Sequence, residues 1–206
     1  VFWEDASTSK LNYAVVSGET GDIIQQPATL FTSFTSIEQP HCTVEGTNTY
    51  ILFRGYDTKI DIHYAISQDG GETFSAPVRV TNDTIQEDAG TISVHNGTVY
   101  VAYLDMDSTL NLYLTKSTNG TSFTEPVRVN KTSGKTGDRM DMKIAADGSL
   151  LIGYSDKTTD DGGDLALARS IDGGSTFSYI YPSSSTYMYQ RYPVLGIIAN
   201  SLYVAW

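Results

Sequence analysis

The stretch Ser67-Gln68-Asp69-Gly70-Gly71-Glu72-Thr73-Phe74 decides how the chain is organised, because it recurs. Ser170-Ile171-Asp172-Gly173-Gly174-Ser175-Thr176-Phe177 fits the same pattern, S-x-D-x-G-x-T-F. A shorter relative, Ser117-Thr118-Asn119-Gly120-Thr121-Ser122-Phe123, lies between them, and a fainter one occupies 17–23. The serines at 17, 67, 117 and 170 are 50, 50 and 53 residues apart. Repetition with such a period predicts a repeat architecture.

The residue types of this motif predict a tight turn between two strands. Ser and Asp or Asn side chains hydrogen-bond nearby backbone amides, and glycine adopts backbone angles closed to other residues. Thr and Phe then restart an extended strand, and we expect the Phe to fill the core beneath the turn. Alternating segments at 62–66, 112–115 and 165–168 lead into the last three copies, so each of these is predicted to be a hairpin.

The four copies resemble the Asp-box, or BNR, repeat of sialidase-like β-propellers, and the resemblance covers essentially the whole chain. It implies an all-β propeller domain over 1–206, with about four blades of four antiparallel strands each. Either the chain forms a four-bladed ring or it belongs to a larger propeller. The structural Asp-box positions are Ser67, Asp69, Gly71, Thr73, Phe74, Ser117, Asn119, Phe123, Ser170, Asp172, Gly174, Thr176 and Phe177.

Composition agrees with an all-β protein and argues against two classes of partner. The chain has 206 residues with 18 Gly, and no segment of useful length shows helical periodicity. Its formal net charge of −11 disfavours nucleic acid, which binds basic patches. No apolar run is long enough to span a membrane.

Four N-x-T sequons favour an extracellular or cell-surface glycoprotein. They start at Asn82, Asn96, Asn119 and Asn130. The last three lie in or beside predicted turns, so we expect their side chains to be exposed. Cys42 is the only cysteine, which excludes an intrachain disulfide, and we expect it to pack as a small buried apolar residue.

The two ends of the chain match each other in position within the repeat. Val204-Ala205-Trp206 stands at the blade position that Val1-Phe2-Trp3 occupies at the start. One blade is therefore predicted to be split between the termini, with strand edges that recruit a partner. Three arrangements satisfy these edges: the C-terminal strands pair with 11–16 and close a ring, further blades complete a larger ring, or another copy supplies the strand.

Polar residues concentrate in the segments that lead into the predicted innermost strands, at 37–41, 86–89, 138–141 and 190–193. In propellers that the repeat resembles, such segments form a mouth around the axis where ligands bind. The alternative interpretation is that these are solvated loop residues. The predicted mouth residues are Glu38, His41, Glu87, Asp88, Arg139, Asp141, Arg191 and Tyr192.

The resemblance also implies what a catalytic sialidase site would contain. Such a site uses three arginines for the substrate carboxylate, a Tyr nucleophile activated by a Glu, and an Asp acid/base. Arg191-Tyr192-Pro193 resembles the R-I-P motif of the first arginine, and Arg139 is a second candidate. A third arginine and a Tyr/Glu pair are not assigned. The catalytic candidates are Arg191, Arg139, Asp88, Glu87 and Asp141.

An acidic loop at 156–164 is a candidate calcium site, since Ca²⁺ prefers oxygen ligands. Its spacing matches no EF-hand, and its glycine pair is explained by a hairpin turn. The candidate ligands are Asp160, Asp161 and Asp164, and the sequence points to no other metal or cofactor.

We therefore predict a secreted or cell-surface binding or structural module that recognises glycans or a cell-surface protein, with self-association through the split blade. The alternative is a sialidase-like exo-glycoside hydrolase acting on acidic sugars. A complete arginine triad with a Tyr/Glu pair would distinguish the two.

Overall fold

A computed structural model describes residues 1–81, 83–106, 110–158, 163–182, 190, 192–199 and 201–206, with the backbone alone at residues 89 and 138. In these ranges all regular structure is β-strand, as the sequence predicts, and no helix able to cross a membrane is found among them. The chain divides into two compact units, Val1–Thr84 and Ile85–Trp206.

The first unit contains two antiparallel sheets. Sheet 1 has three strands in the order β1-β2-β3, and sheet 2 has four in the order β4-β5-β6-β7. The strands are β1 (Phe2–Asp5), β2 (Lys10–Val16), β3 (Ile23–Leu30), β4 (Ser36–Glu45), β5 (Asn48–Tyr56), β6 (Ile60–Ser67) and β7 (Val78–Arg79).

The second unit contains three antiparallel sheets. Sheets 3 and 4 have four strands each, in chain order, and sheet 5 is a two-stranded hairpin. The strands are β8 (Glu87–His95), β9 (Thr98–Asp105), β10 (Leu112–Ser117), β11 (Val127–Arg128), β12 (Thr136–Ile144), β13 (Leu150–Asp156), β14 (Asp164–Ser170), β15 (Ser178–Ile180), β16 (Val194–Ile198) and β17 (Ser201–Ala205).

Within each unit the core lies between successive sheets. In the first unit, Leu11 and Tyr13 of sheet 1 pack against Ile51 and Phe53 of sheet 2. In the second, sheets 3 and 4 share one apolar cluster, and sheets 4 and 5 share a smaller one around Leu195. Strands whose side chains are buried on both faces account for the nearly continuous apolar runs of the sequence.

Three sheets have the predicted four strands, and sheets 1 and 5, at the two ends of the chain, have three and two, as a blade divided between the termini would have. One of the three arrangements considered for the chain ends, pairing of the C-terminal strand with 11–16, does not occur, because β2 already has a strand on each side. Phe2 pairs with Tyr13 on one edge, and Leu30 pairs with Leu11 on the other. No free edge of β2 remains for the C-terminal strand.

The Asp boxes form the turns that their sequence predicts. Ser67 Oγ donates to Asp69 Oδ1 over 2.7 Å and accepts from the backbone nitrogen of Gly71 over 2.8 Å. Asp69 Oδ1 accepts from the backbone nitrogen of Thr73 over 2.9 Å, and Thr73 Oγ1 donates to Asp69 Oδ2 over 2.5 Å. The box at Ser170 repeats this arrangement, with Asp172 as the acceptor from Thr176. In the third box Asn119 Oδ1 accepts from Thr121 and Ser122.

Two of the boxes also dock on the sheet that precedes them in the same unit. Tyr13 Oη donates to the Glu72 carbonyl over 3.1 Å, and Phe74 packs edge-on against the Tyr13 ring, with centroids 5.4 Å apart. In the second unit, Lys116 Nζ donates to the Gly173 carbonyl over 2.7 Å. Phe74 therefore fills the space between two sheets rather than the core beneath its own turn.

We expect the two aspartate boxes to lose stability in acid. Hydrogen bonds from Thr73 and Thr176 lower the pKa values of Asp69 and Asp172 below the ordinary aspartate value. The pKa of each aspartate is lower in the folded protein than in the unfolded chain, where it is about 3.9. The resulting stability is therefore present above the pKa of the unfolded chain and is lost as the pH falls towards the pKa in the folded protein. Asp69→Asn should therefore lower the melting temperature at pH 7, and the difference from the unsubstituted protein should shrink below about pH 4. A difference that is constant with pH would contradict this.

Two expectations about exposure are wrong. Cys42 is exposed rather than buried, because it lies on the same face of β4 as Val44, which is exposed too. Asn130 is only 2 % exposed, because its side chain closes a loop instead of pointing to solvent. Its Oδ1 accepts from the Leu112 backbone nitrogen over 2.9 Å, and its Nδ2 donates to Asn111 Oδ1 over 3.1 Å. Asn96 and Asn119 are exposed, whereas Asn82 lies outside the described residues.

Candidate functional site

A β-bulge lies near the start of the first strand in each of the four-stranded sheets. The register shifts fall between Glu38 and His41 in β4, between Asp88 and Gly90 in β8, and between Thr136 and Met140 in β12. These are the segments that the sequence predicts as loops leading into the inner strands. They are strands instead, and the bulges change the direction of their side chains, as bulges beside functional sites do. We call the stretch around each of these three register shifts, at the start of β4, β8 and β12, the bulged edge of its sheet.

In the first unit the bulged edge carries an ion pair. Arg54 Nη2 lies 3.0 Å from Glu38 Oε2, and the two residues are cross-strand neighbours in β4 and β5. Arg54 is not among the predicted site residues because it lies in the second strand of its blade, and only the pairing register places it opposite Glu38. His41, on the other side of the bulge, is half-buried opposite Leu52.

At the bulged edge of sheet 4, Arg139 of β12 lies beside a second predicted mouth residue, Tyr192, from the segment before β16. The guanidinium carbon of Arg139 lies 6.0 Å from the centroid of the Tyr192 ring, a cation–π distance. Arg139 is exposed, and Tyr192 is 55 % exposed. Tyr192 also has a left-handed backbone, with φ of 58°. An exposed non-glycine residue in this conformation is uncommon and is often found at functional sites.

Asp141 is a structural residue rather than a solvated mouth residue. Its Oδ2 accepts from the Leu195 backbone nitrogen over 2.8 Å, which joins β12 to β16. Its Oδ1 accepts from the Met142 backbone nitrogen over 2.8 Å and from Lys143 Nζ over 2.9 Å. A carboxylate held by these donors is poorly suited to acid/base work, because proton transfer would break the contacts between sheets.

The carboxylates at the bulged edge of sheet 3 differ in exposure. Glu87 is 1 % exposed and is the cross-strand neighbour of Asp105, which is 4 % exposed. Asp88 is half-buried. Asp105 Oδ1 accepts from the Asn111 backbone nitrogen over 2.6 Å, so it holds the connection between β9 and β10. Glu87 is therefore buried within the sheet instead of lining an open mouth.

Asp156, at the corresponding end of β13, has a similar structural role. Its Oδ1 accepts from the Thr158 backbone nitrogen over 2.9 Å, and Tyr181 Oη donates to its Oδ2 over 2.8 Å. Burial and this hydrogen bond to the neighbouring carboxylate raise the pKa of Tyr181 to about 12. Asp105 and Asp156, each at the end of the second strand of its sheet, thus both bind the backbone of a residue that follows the strand.

Both arginines of the first unit, Arg54 and Arg79, are engaged by acidic partners. Arg79 Nε lies 3.1 Å from Asp61 Oδ2, and Arg79 Nη2 lies 3.4 Å from Asp57 Oδ2. Asp61 is fully buried and also pairs with Lys59 over 2.6 Å. Together with the Glu38–Arg54 pair, these contacts assign both arginines of the first unit to ion pairs within sheet 2.

Several predicted site residues lie outside the described part of the chain. They are Arg191, the R-I-P-like arginine, and the calcium candidates Asp160 and Asp161. Asp164 begins β14 opposite Asp156. Across the described ranges, no three His, Cys, Asp or Glu side chains converge as a metal site would require. The calcium site stays a prediction.

The bulged edge of sheet 4, together with the segment before β16, can therefore bind an acidic or polar ligand through Arg139 and Tyr192. A guanidinium group forms paired hydrogen bonds with a carboxylate, and an exposed tyrosine offers both an apolar ring and a hydroxyl. The buried carboxylates behind them hold the strands that position these two side chains.

No family profile and no curated protein match this sequence. Solved structures do resemble it. A mutant Trypanosoma rangeli sialidase displaying trans-sialidase activity has a TM-score of 0.66 at 15% identity, over 99% of this chain and 37% of the sialidase. A protein of unknown function from Dyadobacter fermentans has a TM-score of 0.64 at 14% identity, over 84% of this chain and 58% of that one.

A third similar structure is xylan β-1,4-xylosidase from Bacillus halodurans, with a TM-score of 0.56 at 16% identity, over 82% of this chain and 36% of the enzyme. The chain thus spans less than two thirds of the length of each of these proteins. Identities this low show the fold alone. They support a sialidase-like β-propeller fold and do not separate a binding protein from an enzyme.

Proposed function

We propose that the chain is built from Asp-box propeller blades and binds carbohydrate at the bulged edge of sheet 4, as a secreted or cell-surface binding module. The observation that carries the proposal is the exposed Arg139 beside the exposed ring of Tyr192, 6.0 Å apart. These two side chains come from β12 and from the segment before β16, so two adjacent sheets contribute to one site.

The chemistry of this pair favours a sugar that carries a carboxylate. The Arg139 guanidinium matches the two oxygens of a carboxylate, which a lysine would not match as well. The Tyr192 ring can lie against the apolar face of a sugar while its hydroxyl remains in water. An uncharged sugar would use only the second interaction.

Two further observations support this proposal. Among the similar structures, one is a sialidase and another a xylosidase, so the fold is used by proteins named for action on carbohydrate. The exposed sequon residues Asn96 and Asn119 agree with a secreted or cell-surface setting in which the chain itself carries glycans.

Titration calorimetry with sialic acid, glucuronic acid and neutral galactose tests the proposal. Arg139→Ala should weaken binding of the acidic sugars by about tenfold or more, whereas Tyr192→Ala should weaken binding of any sugar the protein recognises. Arg128→Ala is the matched control, because Arg128 is exposed on β11. Absence of binding to all three sugars, or equal losses in the Arg139 and Arg128 variants, would contradict the proposed site.

The second candidate function is a sialidase-like exo-glycoside hydrolase, which the similarity to Trypanosoma rangeli sialidase favours. Hydrolysis of a fluorogenic sialoside measures it directly. Turnover that is lost in both the Arg139→Ala and the Arg191→Ala variants would establish the enzyme. Binding of sialic acid without turnover would instead support the binding module.

A further inference from the structure

The second unit contains the sequence Asn-Gly-Thr twice, at 96–98 and at 119–121. Both asparagine side chains are exposed. In an Asn-Gly pair the backbone nitrogen of the glycine can attack the side-chain carbonyl carbon of the asparagine, because glycine has no Cβ to obstruct the approach. The two copies have the same residues at all three positions, so a difference between their reactivities comes from the structure around them.

The first copy lies in the hairpin turn between β8 and β9, where His95 pairs with Thr98. Both residues of the turn have positive φ, 50° at Asn96 and 74° at Gly97, as in a two-residue type I′ turn. Asn96 Nδ2 lies 3.1 Å from His95 Nε2. Attack on the side-chain carbonyl carbon expels this Nδ2 as ammonia, so the imidazole lies beside the leaving group of the reaction.

The second copy lies in the third Asp box, which holds both of the groups that would react. Asn119 Oδ1 accepts from the backbone nitrogens of Thr121 and Ser122, each over 2.9 Å. Ser117 Oγ donates to the same oxygen over 3.1 Å and accepts from the backbone nitrogen of Gly120 over 2.9 Å. The attack would therefore have to break the bond between Gly120 and Ser117 and turn the carboxamide away from the box.

We propose that Asn96 is a site of spontaneous deamidation, assisted by His95, and that the Asp box protects Asn119 from the same reaction. The Gly97 nitrogen loses its proton to a solvent base and bonds to Asn96 Cγ, which gives a cyclic intermediate. The Cγ–Nδ2 bond then breaks, and Nδ2 takes a proton from the imidazolium form of His95 and leaves as ammonia. Water opens the cyclic imide at one of its two carbonyl carbons, so one water is consumed and one ammonia is released overall.

The two products of ring opening differ in what they do to the turn. Opening at one carbonyl carbon gives aspartate, which tolerates the left-handed backbone of residue 96. Opening at the other gives isoaspartate, which adds one atom to the backbone of a two-residue turn. The extra atom disturbs the pairing of β8 with β9, because the length of the loop fixes the register of a hairpin. N-glycosylation would attach sugar to the same Nδ2, so the two modifications exclude each other at Asn96.

Peptide mass spectrometry tests the proposal on folded protein from a host without N-glycosylation, after incubation at neutral pH. Conversion should be about tenfold or more faster at Asn96 than at Asn119, because the box must first release hydrogen bonds. His95→Ala removes the proton donor and should slow conversion at Asn96 by about tenfold or more, with Asn119 unchanged. In guanidinium chloride the two copies should react at similar rates, since they have the same local sequence.

Ser117→Ala gives the reciprocal test, because it removes the hydroxyl that holds Gly120 and Asn119. Conversion at Asn119 should become faster while Asn96 keeps its rate, so Asn96 also reports whether the variant remains folded. Ser170→Ala is the matched control, since it removes the same hydroxyl from a box that has aspartate in place of asparagine. This control should leave both rates unchanged.

Four results would overturn the proposal. They are an intact Asn96 after prolonged incubation, equal rates at the two copies in the folded protein, an unchanged rate at Asn96 in the His95→Ala variant, and an unchanged rate at Asn119 in the folded Ser117→Ala variant. If Ser117→Ala raises the rates at both copies, the variant has unfolded, and the comparison of the two copies within the unsubstituted protein decides.

Discussion

Gly174→Ala should destabilise the second unit by about 2–4 kcal/mol, from backbone strain and overpacking together. Gly174 has φ of +87°, which L-residues other than glycine rarely adopt. A Cβ at this position would also overlap Leu114 Cδ2 and lie 3.5 Å from Leu150 Cδ1. Leu114 is 2% exposed in the cluster shared by sheets 3 and 4, so it has little room to move away.

Gly97→Ala separates the two causes. Gly97 has φ of +74°, and a Cβ added there would meet no atom of the described residues within 4 Å, so this variant carries the backbone strain without the overlap. We expect a loss of about 1 kcal/mol for this control. Scanning calorimetry of both variants measures the difference. Equal losses of stability in the two variants would mean that the overlap with Leu114 costs nothing. The Asp box would then pack against sheet 3 more loosely than the structure shows.

Asn130→Ala should lower the free energy of unfolding by about 2–3 kcal/mol, because it leaves the buried Leu112 N–H without its acceptor. It also removes the Nδ2 donor to Asn111 Oδ1 and to the Thr132 carbonyl, over 3.1 and 2.7 Å. Urea unfolding monitored by circular dichroism measures the loss.

The control for this prediction is another sequon asparagine. Asn96→Asp lies in an exposed turn with φ of 50°, a conformation that aspartate tolerates, and should change stability by less than about 0.5 kcal/mol. Mass spectrometry of protein from a glycosylating host should find no sugar on Asn130. A glycan on Asn130 in the folded protein would refute the buried arrangement.

Features that depend on neighbouring residues in the chain could be predicted. The serine and the aspartate or asparagine of a box lie two positions apart, so the hydrogen bonds of the turns at Ser67, Ser117 and Ser170 follow from local chemistry. Alternating segments on either side of each turn then predict antiparallel hairpins. The all-β class and the three four-stranded sheets rest on this local information.

Features that depend on register between distant residues could not be predicted in the same way. The bulges of β4, β8 and β12 decide which side chains face out, so Arg54 meets Glu38 while Asp141 turns inward to Leu195. The polar residues of the predicted mouth segments would also be compatible with an open, solvated mouth. Only the register between strands distinguishes carboxylates that face solvent from those that hold sheets together.

The repeat pattern by itself establishes the boxes, the hairpins and the order of the strands, because each arises from contacts within a few residues along the chain. Which asparagine is buried, which carboxylate is exposed, and which boxes dock were decided only by the tertiary structure. Asn119 and Asn130 show the difference, since both belong to N-x-T sequons and only the second is enclosed. Burial depends on side chains that lie far apart in sequence and meet in space, and a local motif contains no record of them.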